Sequence, residues 1–396
     1  MDYEQATAFL DSLVNYEREM PRTYDTRAFD LENFARLLGR LGSPQEAYPI
    51  IHVAGTKGKG SVVAMLAAAF AAAGRRAGAF TSPHLRSVRE RLAVDEELIS
   101  PAEFGRYVGR AREAMTGEES ANYRTYFETL LAAALLFFRE REVDVALLET
   151  GLGGRLDATN VVSPAVVALT SIGLDHTNIL GTTLAEIAAE KAGVLKEGVV
   201  AVSAPQEAEA AAVLAETASR LGAPLAVVGA DLHLALNGDG TFDYRGPRYD
   251  LALLKPAMLG PAQRLNAAVA LAALEQFEPF EVPAEAARKG VATGRARGRA
   301  ELLPGSPALL LDSAHTAASA RELAAVVKSL PYRRKVLLWG MSYEKDAASV
   351  ARELAPCVEE ALATAASLPR ARAADELAEI GQGIFQTSAA ATPAAA

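Results

Sequence analysis

Two kinds of apolar segment alternate along the chain. Short runs with almost no polar face, Ile50 to Ala54, Arg76 to Thr81, Val143 to Leu148, Pro164 to Ile172, Val199 to Ser203 and Leu225 to Val228, read as strands covered on both sides. Between them lie longer segments with helical spacing: Phe9, Leu13 and Tyr16 within 2–16, then Leu31, Phe34, Leu37, Leu38 and Leu41 within 30–41. The same spacing continues in 62–73, 101–115, 126–142, 184–195 and 207–221. Strand–helix alternation of this kind predicts an α/β fold with a doubly wound, mostly parallel sheet. Pro21 to Phe29 reads as a loop, and Asn-Gly-Asp-Gly at 237–240 predicts a hairpin on the periphery.

After a helical stretch at 260–275, residues 279–299 read as a helix and a linker, and the alternation then restarts with apolar runs from Leu309 and over Val336 to Trp339. The expected division is a P-loop-type domain over 1–296 and a smaller Rossmann-like α/β domain over 297–396. The alanine-rich end, 387–396, reads as frayed.

The run at 50–54 leads into Gly55-Thr56-Lys57-Gly58-Lys59-Gly60-Ser61 and then a helix, which makes it the first candidate for chemistry. Free amides and the dipole at a helix N-terminus favour an anion, and glycines let backbone amides wrap phosphates. Lys59 can reach the terminal phosphates and Ser61 can offer a hydroxyl to Mg²⁺. The general P-loop pattern has Ser or Thr directly after Gly-Lys, whereas Gly60 intervenes here.

Two further strand ends point the same way. The run at 143–148 delivers Glu149 at its tip, ahead of a glycine-dense loop, where a magnesium ligand or water-positioning group belongs. The strand at 76–81 ends in Thr-Ser-Pro-His-Leu, placing Ser82 and His84 where open α/β sheets bind ligands. A lone histidine there is more often a hydrogen-bonded structural residue, so His84 reads as support for the site.

A net charge of −9 over 396 residues argues against nucleic-acid and anionic-membrane partners and favours small-molecule chemistry. The single cysteine, Cys357, makes no internal disulfide, and the start of the chain lacks the basic and apolar segments of a signal peptide. A cytoplasmic, monomeric enzyme is the expectation.

Seven blocks together resemble the folylpolyglutamate synthase and dihydrofolate synthase family, relatives of the Mur ligases. They are Gly-Thr-Lys-Gly-Lys-Gly-Ser (55–61), Thr-Ser-Pro-His-Leu (81–85), Thr-Tyr-Phe-Glu (125–128), Gly-Leu-Gly-Gly-Arg-Leu-Asp-Ala-Thr-Asn (151–160), Leu-Asp-His (174–176), Glu-Lys-Ala-Gly (190–193) and Asp-Ser-Ala-His (312–315). The resemblance implies an ATP- and Mg²⁺-dependent amide ligase joining L-glutamate to dihydropteroate or folate through an acyl phosphate. It places the triphosphate on Gly55, Thr56, Lys57, Gly58, Lys59, Gly60 and Ser61, and the rest of the nucleotide on Asn266, Arg299, Asp312 and His315. Mg²⁺ falls to Ser82, Glu149, His176 and Lys191, the last carried as a carbamate, and the catalytic set is Lys59, Lys191, His176 and Glu149. The pterin end falls to Asp30, Leu31, Thr125, Tyr126, Phe127, Glu128, Leu156, Asp157 and Ala158, where an aromatic ring and a carboxylate suit stacking and ring N–H donors.

Three departures stand against the family pattern: Lys57 and Thr316 replace asparagines, and the usual last strand of the C-terminal domain has no counterpart. The competing readings are a Mur-type ligase acting on a UDP-muropeptide, a P-loop NTPase that hydrolyses without ligating, and a non-catalytic homologue.

Overall fold

The computed structural model describes residues 1–18, 29–115, 125–367, 370–385 and 387–390, so residues 21–28 of the expected loop and the terminal 391–396 lie outside the described residues. The chain forms two compact units, Met1–Ala257 with Gln263–Ala296, and Met258–Ala262 with Arg297–Ala396.

The first unit is built on eight strands: β1 (Ile50–Ala54), β2 (Ala77–Phe80), β3 (Leu92–Val94), β4 (Glu97–Leu98), β5 (Val145–Glu149), β6 (Val166–Leu169), β7 (Ala201–Ser203) and β8 (Leu225–Val227). They run in the order β4-β3-β2-β5-β1-β6-β7-β8. β2 and β5 to β8 join β1 in a parallel sheet, and only β3 and β4 pair antiparallel. Val53 stands opposite both Glu149 and Ala168, so the carboxyl ends of β1, β5 and β6 meet at one sheet edge. That edge is where ligands bind in open α/β sheets.

Every residue of β1, β5 and β6 is buried, because helices cover both faces. One face packs on α1 (Tyr3–Asp11), α2 (Leu31–Arg40), α4 (Pro101–Met115) and α5 (Tyr126–Glu140), with Phe34, Phe104, Leu131 and Phe138 fully enclosed. α3 (Lys59–Ala72) follows β1, and α6 (Thr177–Leu180), α7 (Leu184–Ala192) and α8 (Ala208–Arg220) follow β6 and β7. A meander of β9 (His233–Leu236), β10 (Phe242–Arg245) and β11 (Asp250–Leu254) carries the 237–240 turn, and α9 (Ala262–Gln276) and α10 (Ala284–Thr293) complete the unit. The first helix is shorter than its apolar spacing predicts. It ends at Asp11, and Val14 instead turns extended, forming a parallel bridge to Thr125 and accepting from the Tyr126 amide at 2.9 Å.

The second unit holds an antiparallel pair, β12 (Glu301–Leu303) and β13 (Leu309–Leu311), and a parallel sheet of β14 (Val336–Trp339), β15 (Glu360–Ala363) and β16 (Thr387–Ala390). Its core joins α11 (Ala317–Ser329), α12 (Ala347–Leu354) and α13 (Ala374–Gly381) around Ala320, Trp339, Val350, Leu354 and Phe385. The frayed reading of 387–396 is corrected for four residues: Thr387 to Ala390 pair with Glu360 to Ala363 in unbroken register. The backbone of β15 supplies that partner, which low-complexity composition does not reveal.

Candidate functional site

The glycine-rich turn after β1 is a cradle built by its own backbone. α3 begins at Lys59 with Gly58 as its N-cap and no side chain capping it. The first helical bond runs from Val62 to the Gly58 carbonyl, leaving the amides of Lys59, Gly60 and Ser61 without partners among the described residues. Free amides and the dipole at a helix start of this kind favour an anion. Gly58 adopts φ +95°, and a Cβ there would fall 2.2 Å from the Asn266 carboxamide oxygen. The glycine thus lets α9 bring Asn266 against the turn, 208 positions along the chain. Not all of the turn is left free. The Thr56 amide and hydroxyl bond the Ser171 and Gly173 carbonyls at 2.9 and 3.1 Å, and the Lys57 amide also bonds Ser171. Thr56 ties the cradle to the loop after β6.

Glu149 ends β5 beside this turn, its carboxylate 3.4 Å from where a Cβ on Gly60 would stand, and it accepts from the Ser82 amide at 3.2 Å. Lys59 and Lys191 both donate to the Gly55 carbonyl, at 3.2 and 2.9 Å. Lys191 lies at the buried end of α7, and its position follows from an interlock: a Cβ on Gly154 would meet the Glu190 carbonyl at 2.8 Å, and the Arg155 amide bonds that same carbonyl. The glycine-dense loop and Glu-Lys-Ala-Gly are therefore two halves of one joint. Burial, reinforced by the nearby Lys59 charge, pushes the Lys191 ammonium down to about 7. His176, in the left-handed conformation at the start of α6, is half-exposed beside Asp175.

Oxygen donors from Glu149 and Ser82, next to a phosphate cradle, suit Mg²⁺, which keeps most of its water and takes few protein ligands. No group of three or more His, Cys, Asp or Glu side chains gathers around a metal-sized space among the described residues. The sparse set is what remains.

At the far end of the sheet edge, α2 and α5 pack against the short turn Ala158–Val161. Asp30 caps α2 and Thr125 caps α5, with Glu128 returning to the Thr125 amide and hydroxyl at 2.8 Å each. Phe127 packs edge-on against Phe80. These contacts bring Asp30, Leu31, Thr125 to Glu128 and Leu156 to Ala158 into one neighbourhood. The Asp157 carboxylate, however, is already engaged: one oxygen accepts from Gly151 and Leu152 amides, the other from the Thr159 amide and hydroxyl. It shapes the loop from within, and burial raises its pKa.

Within the second unit, Asp312 at the end of β13 accepts from Ala300 and Ala314 amides, both at 2.7 Å. Arg299 donates to the Ser313 hydroxyl at 2.6 Å, and the His315 ring meets the Ser313 carbonyl at 2.8 Å. Arg299, Asp312 and His315 form one cluster, and Thr316 caps α11.

Two family models match: "Mur ligase middle domain" over residues 53–274 and "Mur ligase, glutamate ligase domain" over 298–396. The chain is 35% identical to the dihydrofolate synthase/folylpolyglutamate synthase of Escherichia coli over 385 residues, covering 96% of this chain and 87% of that one. Against the Bacillus subtilis enzyme of the same name it is 36% identical over 312 residues, 75% of this chain and 72% of that one. The chain belongs to the folylpolyglutamate synthase/dihydrofolate synthase family. Solved members superpose over nearly all of it: the Mycobacterium tuberculosis synthase complexed with ADP has a TM-score of 0.87 at 31% identity, covering 98% of this chain and 88% of that one. Escherichia coli FolC in complex with DHPP and ADP gives 0.86 at 30%, covering 99% and 89%. Archaeal bifunctional synthases are longer, and the chain spans only 41% of the Haloferax volcanii protein. Membership makes this protein an acid–amino-acid ligase of the Mur superfamily.

Within this ligase, sequence reasoning passed over three buried side chains. Arg91 is 1% exposed and lies over the Tyr126 ring, its centre 5.5 Å away. His52 on β1 bonds the Thr159 hydroxyl at 2.8 Å, and Asn160 bonds the Arg155 and Gly193 carbonyls. Arg91 carries no local signal, since only the fold shows that it is enclosed. His52 does: it is the one polar residue inside an otherwise apolar strand.

Proposed function

We propose that this ligase binds Mg²⁺-ATP at the Gly55–Ser61 cradle, phosphorylates a carboxylate of dihydropteroate or folate, and joins L-glutamate to the acyl phosphate. The observation that carries this reading is the group of free amides at Lys59, Gly60 and Ser61 with Glu149 and Asn266 held against them. Phosphoryl transfer needs little covalent help from protein, only positioning and neutralisation of charge. Lys59 neutralises the transferred phosphoryl group, the free amides hold its neighbours, and Ser82, Glu149 and His176 take the metal. When bound, Mg²⁺ withdraws charge from the phosphate oxygens. The pterin lies by Phe127 and the 156–158 turn, and Arg299, Asp312 and His315 serve the nucleotide.

Lys191 takes part as a carbamate. Its depressed pKa leaves a large share of the amine neutral near pH 7, and only the neutral amine attacks CO₂, forming an N–C bond and releasing a proton. The resulting anion relieves the repulsion between Lys191 and Lys59. The relatives' names and the folate-type blocks at 125–128 and 156–160 favour this branch over a UDP-muropeptide ligase. The acidic net charge and the single cysteine favour reading the enzyme as a cytoplasmic monomer; no helix among the described residues is long and apolar enough to cross a membrane.

The test is incorporation of labelled glutamate with ATP and either dihydropteroate or tetrahydrofolate. Incorporation with one or both is expected. ATP hydrolysis that ignores glutamate would identify a non-ligating NTPase, and incorporation only with a UDP-muropeptide would move the chain to the other branch.

A further inference from the structure

The segment between β2 and β3 holds a hydrogen-bonded set that none of the roles above uses. It opens where the Ser82 amide bonds Glu149 and closes on Arg91. Its turns are fixed from inside by the Glu90 carboxylate, which accepts from the Leu85, Arg86 and Ser87 amides at 2.9 to 3.1 Å. Arg91 then donates from each of its three guanidinium nitrogens. Nη1 and Nη2 donate to the two Glu17 oxygens at 2.6 and 2.5 Å, and Nε donates to His84 Nδ1 at 2.9 Å.

That last bond decides the state of His84. An arginine Nε–H has nothing to accept, so His84 Nδ1 must be the unprotonated nitrogen and Nε2 must carry the hydrogen. Nε2–H has no partner among the described residues, and the ring is only partly covered. A buried, fully paired cation thus holds an imidazole as a neutral donor with one fixed direction. Its site is equally constrained: two residues from Ser82 on one side, and joined through Arg91 to Tyr126 on the other. The loop that carries His84 leaves β2 beside the carboxyl end of β5, the same sheet edge at which the proposed acceptor would bring its reacting carboxylate to the cradle.

We propose that His84 binds the acceptor, its Nε2–H donating to the carboxylate that becomes phosphorylated, and that Arg91 and Glu17 are positioning residues that fix its tautomer. This rests on the ligase reading above. A neutral donor suits a group that changes from carboxylate to acyl phosphate, since it bonds oxygen in both. Glu17 also cancels the Arg91 charge, so the set adds a hydrogen bond and no competing cation near the metal.

Two measurements on the full chain test this. With ¹⁵N-labelled histidine, NMR of the unliganded protein should show His84 protonated at Nε2 and bare at Nδ1. Acceptor alone should shift Nε2–H, and an ATP analogue alone should leave it in place. In glutamate-incorporation kinetics, His84→Ala should raise the acceptor KM about tenfold to a hundredfold, the worth of one hydrogen bond to a charged group. KM for ATP and for glutamate should stay within about twofold of wild type on the same scale. His84→Gln, which can place an N–H near the Nε2 position, should recover most of the acceptor affinity. Protonation at Nδ1, or an acceptor KM unchanged in His84→Ala, would overturn the proposal, and so would a glutamate KM that rises in place of the acceptor's. Wild-type protein that incorporates no glutamate at all would instead defeat the ligase reading, while the tautomer measurement still decides whether Arg91 holds His84 as described.

Discussion

The two units are made from the same strand-and-helix alternation, yet they hold their candidate site residues by different means. In the first, β1, β5 and β6 have no exposed residue, and the side chains at their ends inherit the rigidity of the packed sheet. In the second, Leu309 and Leu311 of β13 and Val336 and Leu338 of β14 are 41–53% exposed, and neither strand borders the other. There Asp312 is fixed by local bonds to Ala300 and Ala314 rather than by a core around it. The lesson is that precision can come from global packing or from a short hydrogen-bonded circuit. The phosphate site, where misplacement is most costly, depends on the former.

The largest expected effects fall where packing holds charge in place. Lys59→Ala should lower kcat by about 100- to 1000-fold, as for loss of a donor to developing charge. Its thermal midpoint should hardly move, because among the described residues Lys59 bonds only the Gly55 carbonyl. Lys191→Ala should fall as far and regain part of its rate with acetate, an anion that can replace the carbamate. An active Lys191→Ala enzyme, or a Lys59→Ala enzyme near wild-type turnover, would show that the cradle is not the reaction centre.

A matched pair of truncations measures the contrast in packing. Leu147→Ala, in the middle of β5 and fully buried, should destabilise by about 3 kcal/mol in chemical denaturation. Leu338→Ala, half exposed on β14, should cost under about 0.5 kcal/mol. Equal costs would erase the distinction between the two units.

How far the chain could be read in advance divides along the same line. Continuous apolar runs made the buried strands of the first unit plain, and a carboxylate at a strand tip was enough to single out Glu149. What spacing could not supply was contact across the chain. Nothing near Asn266 says that Gly58 lacks a side chain so that the two can touch, and nothing near Arg91 says that it is enclosed. Asp157 and Glu128 belong to the expected pterin neighbourhood, and nothing in their spacing says that the fold also gives them amides to bind: the loop at 151–159 closes on Asp157, and Thr125 on Glu128. In the second unit, β16 has no apolar pattern of its own, and its four small residues become a strand only when β15 pairs with them.

The buried polar circuit of the first unit should also show in its response to acid. Burial, with the Lys196 charge adding to it, lowers the His52 pKa to about 3 in the folded protein. The unfolded chain takes up this proton near 6.5, so between these values unfolding binds a proton and stability falls as pH falls. His52→Gln, which cannot titrate, should lose less stability than wild type from pH 6 to pH 4. The two should diverge by about 1 kcal/mol per pH unit, within the limit of 1.4 for one proton. Parallel pH curves would mean that His52 is not held neutral by the fold.

The smallest effect on stability should come from charging the open edge of the second unit. Among the described residues β14 pairs only with β15, and Val336 and Leu338 leave two apolar side chains exposed along that edge. An edge of this kind is a template for pairing with another chain, and lysine on it discourages such pairing. Leu338→Lys should therefore change unfolding free energy by less than about 0.5 kcal/mol, because an exposed position tolerates charge. Sedimentation at rising protein concentration should then show less association for the variant than for wild type. A penalty above about 2 kcal/mol would contradict this, since charging a residue is that costly only where it is buried. Leu338 would then be covered in the protein in solution, and the second unit would owe its stability to packing after all, as the first does.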